Sequence, residues 1–163
     1  MKTMTIAERN ELDKHRALPQ INTLPAAPPI LIAEEQAAIR ELLSTALALA
    51  GYRTTSCAGR QAALTWIDLL TPSGDCPPLL LLDLSLPDTH TAHFLSHLRT
   101  HWHDACGVLP HIIVLTTSKQ VQQDLAAQER VVLKPFHIHE LLALIQQVIP
   151  GSAHAELRND FLS

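Results

Sequence analysis

The sequence predicts an α/β domain: a parallel five-stranded sheet with helices on both of its faces. Three observations carry that expectation. Short apolar runs alternate five times with segments whose apolar residues recur at helical spacing, the pattern of βα units joined by right-handed crossovers. One run, LLLL at residues 79–82, is apolar at every position, as a strand buried on both faces must be. Polar residues of chemical use follow four of the runs: Glu34 and Glu35, then Asp83, Thr116 and Lys134.

The elements follow in order. Residues 1–28 are a polar, charge-mixed arm with a capping-box pattern from Thr5 to Glu8 and a linker holding Pro19, Pro25 and Pro28. Residues 30–33 are the first strand. Residues 36–50 place Ile39, Leu42, Leu43, Ala46 and Ala50 on one helical face, and Gly51 stands where a helix closes with a left-handed residue. Residues 52–57 read as a strand, 60–70 as a helix and 71–78 as a loop rich in turn residues. After the strand at 79–82, residues 91–102 carry Phe94, Leu95, Leu98 and Trp102 at helical spacing. A fourth strand spans 111–116, a short polar helix 118–128, a fifth strand 131–133 and a last helix 138–148, which Pro150 and Gly151 stop before a polar tail at 150–163.

Composition narrows the function classes. A chain of 163 residues with 47% hydrophobic and 17% charged residues suits one packed domain, here 29–149, and excludes disorder for the main body. A net charge of -4 with no cluster of Lys and Arg on any predicted helix leaves no footprint for nucleic acid, so none is expected as a partner. No apolar run approaches the roughly 18–20 residues of a membrane span, and the first 29 residues lack a signal-peptide core, which predicts a cytoplasmic protein without membrane insertion. Cys57, Cys76 and Cys106 are odd in number and widely spaced, and they read as structural thiols rather than a disulfide framework or a zinc site.

The groups at the strand ends belong to one edge of the sheet. In a flavodoxin-like order, 2-1-3-4-5, strands one and three flank the topological switch point, where ligands of such sheets bind, and Glu34, Glu35 and Asp83 converge there. Asp83 taken alone is equally a turn or N-cap residue. Together the three carboxylates sum to -3, and Lys134 returns +1, a balance that invites a hard divalent cation such as Mg²⁺. Thr116 and Lys134 can then serve the oxygens of one phosphoryl group.

ILIAEE, LLLLDLSLPD, IIVLTT and VVLKPF, in that order, resemble the receiver domain of bacterial two-component response regulators. The resemblance implies that Asp83 is phosphorylated by a sensor histidine kinase or phosphotransfer protein. It implies that Glu34, Glu35, Asp83 and the backbone of Ser85 hold Mg²⁺, that Thr116 and Lys134 bind the phosphoryl group, and that the bond between Lys134 and Pro135 is cis. As a single-domain regulator, the chain would act on a downstream protein target. It departs from the family pattern in having glutamate at both acidic positions, no glycine near Thr91, Thr117 in place of a small residue, Val131 in place of an aromatic switch residue, and a short segment between Thr116 and Lys134. A pseudo-receiver that binds partners without phosphorylation is the alternative.

Two other chemistries fit less well. His90, His93, His97 and His101 recur at helical spacing, but without an H-E-x-x-H glutamate they read as a solvated or partner-facing side opposite Phe94, Leu95 and Leu98. A strand-end phosphatase motif D-x-D would need an acid where Ser85 stands.

Overall fold

The computed structural model describes residues 29–69, 76–85 and 91–149. The features expected in the arm and tail, most of the loop at 71–78, and His90 lie outside these residues. Five strands, β1 (Pro29–Ala33), β2 (Arg53–Cys57), β3 (Leu79–Asp83), β4 (His111–Thr116) and β5 (Arg130–Leu133), alternate with five helices. The helices are α1 (Ala37–Leu49), α2 (Gly59–Asp68), α3 (Thr91–Cys106), α4 (Lys119–Leu125) and α5 (Ile138–Val148). The strands are all parallel, in the order β2-β1-β3-β4-β5. No helix among the described residues is long and apolar enough to cross a membrane.

Alternation along the strands sorts the core into two halves. Leu31, Ala33, Leu80, Leu82, Ile112 and Val114 face α2, α3 and α4, packing on Ile67, Leu98, Trp102 and Leu125. Ile30, Ile32, Leu79, Leu81, Ile113 and Leu115 face the opposite way, onto Leu43 and Leu47 of α1 and Leu141 and Ile145 of α5. Leu79 through Leu82 are fully buried, as a central strand between two helical layers requires. Each such leucine stabilises the fold by roughly 1.5–3 kcal/mol through burial.

The structure corrects several expectations. In α1 the buried stripe is Leu43 and Leu47, flanked by Ile39 and Ala50, while Leu42 is 62% exposed. Leucines and alanines fill so much of this helix that spacing alone cannot choose between adjacent stripes. Its end is as expected: Gly51 adopts φ 88°, its N–H reaches the Ala48 carbonyl and that of Tyr52 the Leu47 carbonyl, a Schellman closure. Helix α3 runs on to Cys106, where Gly107 at φ 71° donates to the His103 carbonyl and closes it. That extension brings Cys106 to Cys76, and the two form a disulfide with a Cα separation of 5.9 Å, leaving Cys57 as the free cysteine. Helix α4 is only seven residues long, started by Ser118, whose hydroxyl accepts from the Val121 N–H at 3.2 Å.

Candidate functional site

The register of the sheet builds the site. Ala33 pairs with Leu82, so the next residues, Glu34 and Asp83, come side by side at the carboxyl edge, and Asp83 itself pairs with Leu115. Thr116 pairs with Leu133, which brings Lys134 to the same edge. The Lys134–Pro135 bond is cis.

Lys134 is the centre of the cluster. Its ammonium lies 2.6 Å from Glu34 Oε2 and 3.0 Å from Asp83 Oδ1, with side-chain exposures of 10% for Lys134, 0% for Glu34 and 7% for Asp83. Buried charges persist only when paired and hydrogen-bonded. Glu34 meets both conditions, because its other oxygen accepts the Gln36 N–H at 3.0 Å. Asp83 Oδ1 also accepts a hydrogen bond from the Ser85 hydroxyl.

The hydroxyls are turned to the backbone. Thr116, fully buried, donates to the Leu84 carbonyl at 2.6 Å and accepts from the Ser118 N–H at 3.1 Å. Thr117 donates to the Ser85 carbonyl at 3.1 Å. Of the residues expected at the site, Lys134 thus links Glu34 to Asp83, Ser85 bonds to Asp83, and Thr116 borders them with its hydroxyl bonded to the Leu84 carbonyl.

Glu35 stands apart. It is exposed, and its side chain lies over Gly59 at the start of α2, where a β-carbon would come within 2.9 Å of Glu35 Cγ. Among the described residues no three His, Cys, Asp or Glu side chains are gathered as a metal site. The donor chemistry nevertheless fits Mg²⁺: carboxylate oxygens of Glu34 and Asp83 and the Ser85 carbonyl are hard ligands, and the charge of Glu34 and Asp83 exceeds that of the one ammonium between them.

Two residues of the site escaped the reading of motifs. Arg40, one turn into α1, donates from Nη1 to the Glu34 carbonyl at 2.7 Å and the Glu35 carbonyl at 3.0 Å, pinning the acidic turn. Gly59 gives Glu35 its resting place. A basic residue one turn after the acidic pair was the available signal for Arg40. Nothing local signals Gly59, whose role depends on the approach of α2 to β1.

Comparison with known proteins agrees with this geometry. The chain matches the response regulator receiver domain family over residues 30–146. It is 32% identical over 123 residues to the transcriptional regulatory protein KdpE of Staphylococcus aureus, covering 73% of this chain and 48% of that protein. It is 30% identical over 136 residues to the phosphate regulon transcriptional regulatory protein PhoB of Pseudomonas aeruginosa, covering 78% and 56%. The chain spans about half the length of these two relatives. Among solved structures, the chemotaxis protein CheY4 of Vibrio cholerae superposes with a TM-score of 0.57 at 23% identity, covering 76% of this chain and 100% of that one. The response regulator TrrA of Thermotoga maritima, solved with Mg²⁺ and BeF, gives a TM-score of 0.58 at 25% identity, covering 75% and 99%. The family matched is one of signalling receiver domains. Since the family match spans most of the sheet and helices, and the strand order and the edge cluster agree with it, the chain belongs to the response regulator receiver domains of two-component signalling.

Proposed function

We propose that this receiver accepts a phosphoryl group on Asp83 from a sensor histidine kinase or phosphotransfer protein. The signal then passes to a downstream protein target. The observation that carries this reading is the Lys134 ammonium, held between Glu34 and Asp83 at the carboxyl edge of the sheet. It supplies a fixed positive charge beside a carboxylate whose one oxygen is already engaged. Lys134 and Ser85 both donate to Oδ1 of Asp83, so Oδ2 is the nucleophile.

In the transfer, the new bond joins Oδ2 to phosphorus while the phosphorus–nitrogen bond of the phosphohistidine donor breaks. The imidazole nitrogen leaves with the electron pair. Phosphoryl transfer needs positioning and charge stabilisation more than covalent help, and Lys134 provides both next to the incoming oxygens. Thr116 has a single hydroxyl proton, so donating to the phosphoryl group requires it to release the Leu84 carbonyl. Glu34, Asp83 and the Ser85 carbonyl would hold Mg²⁺, with Glu35 joining once it turns off Gly59; the ion supplies neutralisation of the phosphoryl oxygens. Arg40 keeps the acidic turn in place throughout.

The receiver unit is assigned to 29–149, with 1–28 an arm and 150–163 a tail. The setting is the cytoplasm, with no nucleic-acid or membrane partner. There the Cys76–Cys106 pair would be held as thiols, since reducing compartments keep such pairs open. Incubation with acetyl phosphate and Mg²⁺ should add one phosphoryl group per chain by intact mass, with no addition to Asp83→Asn or when EDTA removes the metal. Equal labelling of Asp83→Asn would overturn the assignment. Absence of labelling in the unmodified chain would favour binding without phosphorylation.

A further inference from the structure

We infer that His97 and His101 on α3, with Asp68 of α2 behind them, form a chelating site for a divalent transition ion of the Ni²⁺, Cu²⁺ and Zn²⁺ class. This site is separate from the carboxylate cluster. The two histidines are four residues apart, one turn of helix, and their rings meet at a centroid distance of 4.2 Å with planes inclined by 59°. They are thus already side by side on one face. His101 Nδ1 lies 2.8 Å from Asp68 Oδ1, across from the neighbouring helix.

That second contact distinguishes the pair from an ordinary exposed histidine stripe. A carboxylate accepts and does not donate, so Nδ1 of His101 carries the proton and Nε2 presents its lone pair outward. A carboxylate behind an imidazole is the arrangement that orients metal-ligating histidines and raises their basicity. The His101 side chain is 36% exposed and His97 is exposed, so both rings are open to an ion and its waters. Imidazole nitrogens select borderline ions over Mg²⁺ or Ca²⁺, which prefer oxygen. Among the described residues no third His, Cys, Asp or Glu ligand is gathered here. The site is an open chelate of two nitrogens completed by water, with Asp68 as a positioning residue rather than a ligand. His93 lies a further turn along the same stripe, with no carboxylate partner among the described residues.

The test is a titration of the full chain with Ni²⁺ in saturating Mg²⁺, read by calorimetry and by paramagnetic broadening of amide signals. One ion should bind, broadening α3 around residues 97–101 and the end of α2, and raising the melting temperature. His97→Gln and His101→Gln should each weaken binding at least tenfold, and Asp68→Asn by about 10–100-fold, the usual effect of losing an orienting partner. His93→Gln should bind as the unmodified chain does. Equal affinity in His101→Gln and the unmodified chain would overturn the inference. So would broadening centred on the edge cluster or on the stacked His137 and His139, and an Asp68→Asn variant of unchanged affinity would remove Asp68 from the site.

Discussion

The two adjacent glutamates that follow β1 rest in different places. Glu34 goes in, fully buried and paired with Lys134, while Glu35 goes out over Gly59. The pairing carries a stability cost when broken: Lys134→Gln strips the cation from two buried carboxylates, and losing one partner of a buried pair costs about 3–5 kcal/mol. Urea unfolding should report a loss near the lower end of that range, because Gln36 still holds Glu34, and Mg²⁺ should restore part of it by binding the folded state. Glu35 bears on affinity. Mg²⁺ demands near-ideal geometry at about 2.0–2.1 Å, and a side chain one methylene longer than aspartate, resting on Gly59, must first be withdrawn. Glu35→Asp should therefore tighten Mg²⁺ binding several-fold in a titration, and unchanged affinity would show that Glu35 does not contribute. Both acids were legible in the sequence as a pair. Their division of labour was not, because it depends on how the chain leaves the strand and on where α2 begins.

Among the elements, one strong signal fixes its element, and a surplus of signal leaves the face undetermined. The bounds of β4 and α5 and the burial of β3 follow from runs that allow one interpretation. The face of α1 was misplaced because Leu42, Leu43 and Leu47 are chemically alike. The Cys76–Cys106 bond was invisible because it depends on the last turn of α3 reaching the residues that precede β3, a tertiary approach with no local pattern. That bond closes 30 residues of chain, which include β3 and most of α3. A crosslink of this span stabilises by about 3–4 kcal/mol in the chain-entropy treatment. Oxidised outside the cell, the chain should give one free thiol in a denatured assay and lose about that much stability on reduction, and a Cys76→Ser/Cys106→Ser variant should be indifferent to reductant. The remaining thiol, Cys57, should react slowly in the folded protein, since burial pushes its pKa up, against a smaller opposing effect of Arg40, and leaves less thiolate near neutral pH. Two or more reactive thiols in the native oxidised chain would contradict the pairing.

At the scale of the whole molecule, the proposed phosphorylation would have to be converted into a change of surface, and the parts that would move are tied down. The family resemblance implies that the site hydroxyl moves toward the phosphoryl group and an aromatic ring on the fifth strand follows into the vacated space. Here that ring is replaced by Val131, half-buried against the core that contains Val121 and Leu125. Its β-branch leaves χ1 stiff, and it has no large surface to carry elsewhere. Thr116 gives up a buried hydrogen bond to the Leu84 carbonyl if it turns, and Thr117 holds the Ser85 carbonyl beside it. The turn before β5 is anchored as well, by Arg99 of α3 at 2.6 Å from Glu129, whose side chain is only 6% exposed. A ligand shifts a two-state equilibrium only by its differential affinity for the states, and each of these features reduces the difference that a phosphoryl group at Asp83 can exploit. Beryllofluoride with Mg²⁺ should therefore slow hydrogen exchange in the segments around Glu34, Asp83 and Lys134 while changing α4, β5 and α5 little. The exposed surface of α1 would then carry more of the partner contact. Arg99→Ala, by freeing the turn at Glu129, should enlarge the response of α4 and β5. Large exchange changes across residues 118–148 in the unmodified chain would show that the switch operates without the aromatic ring.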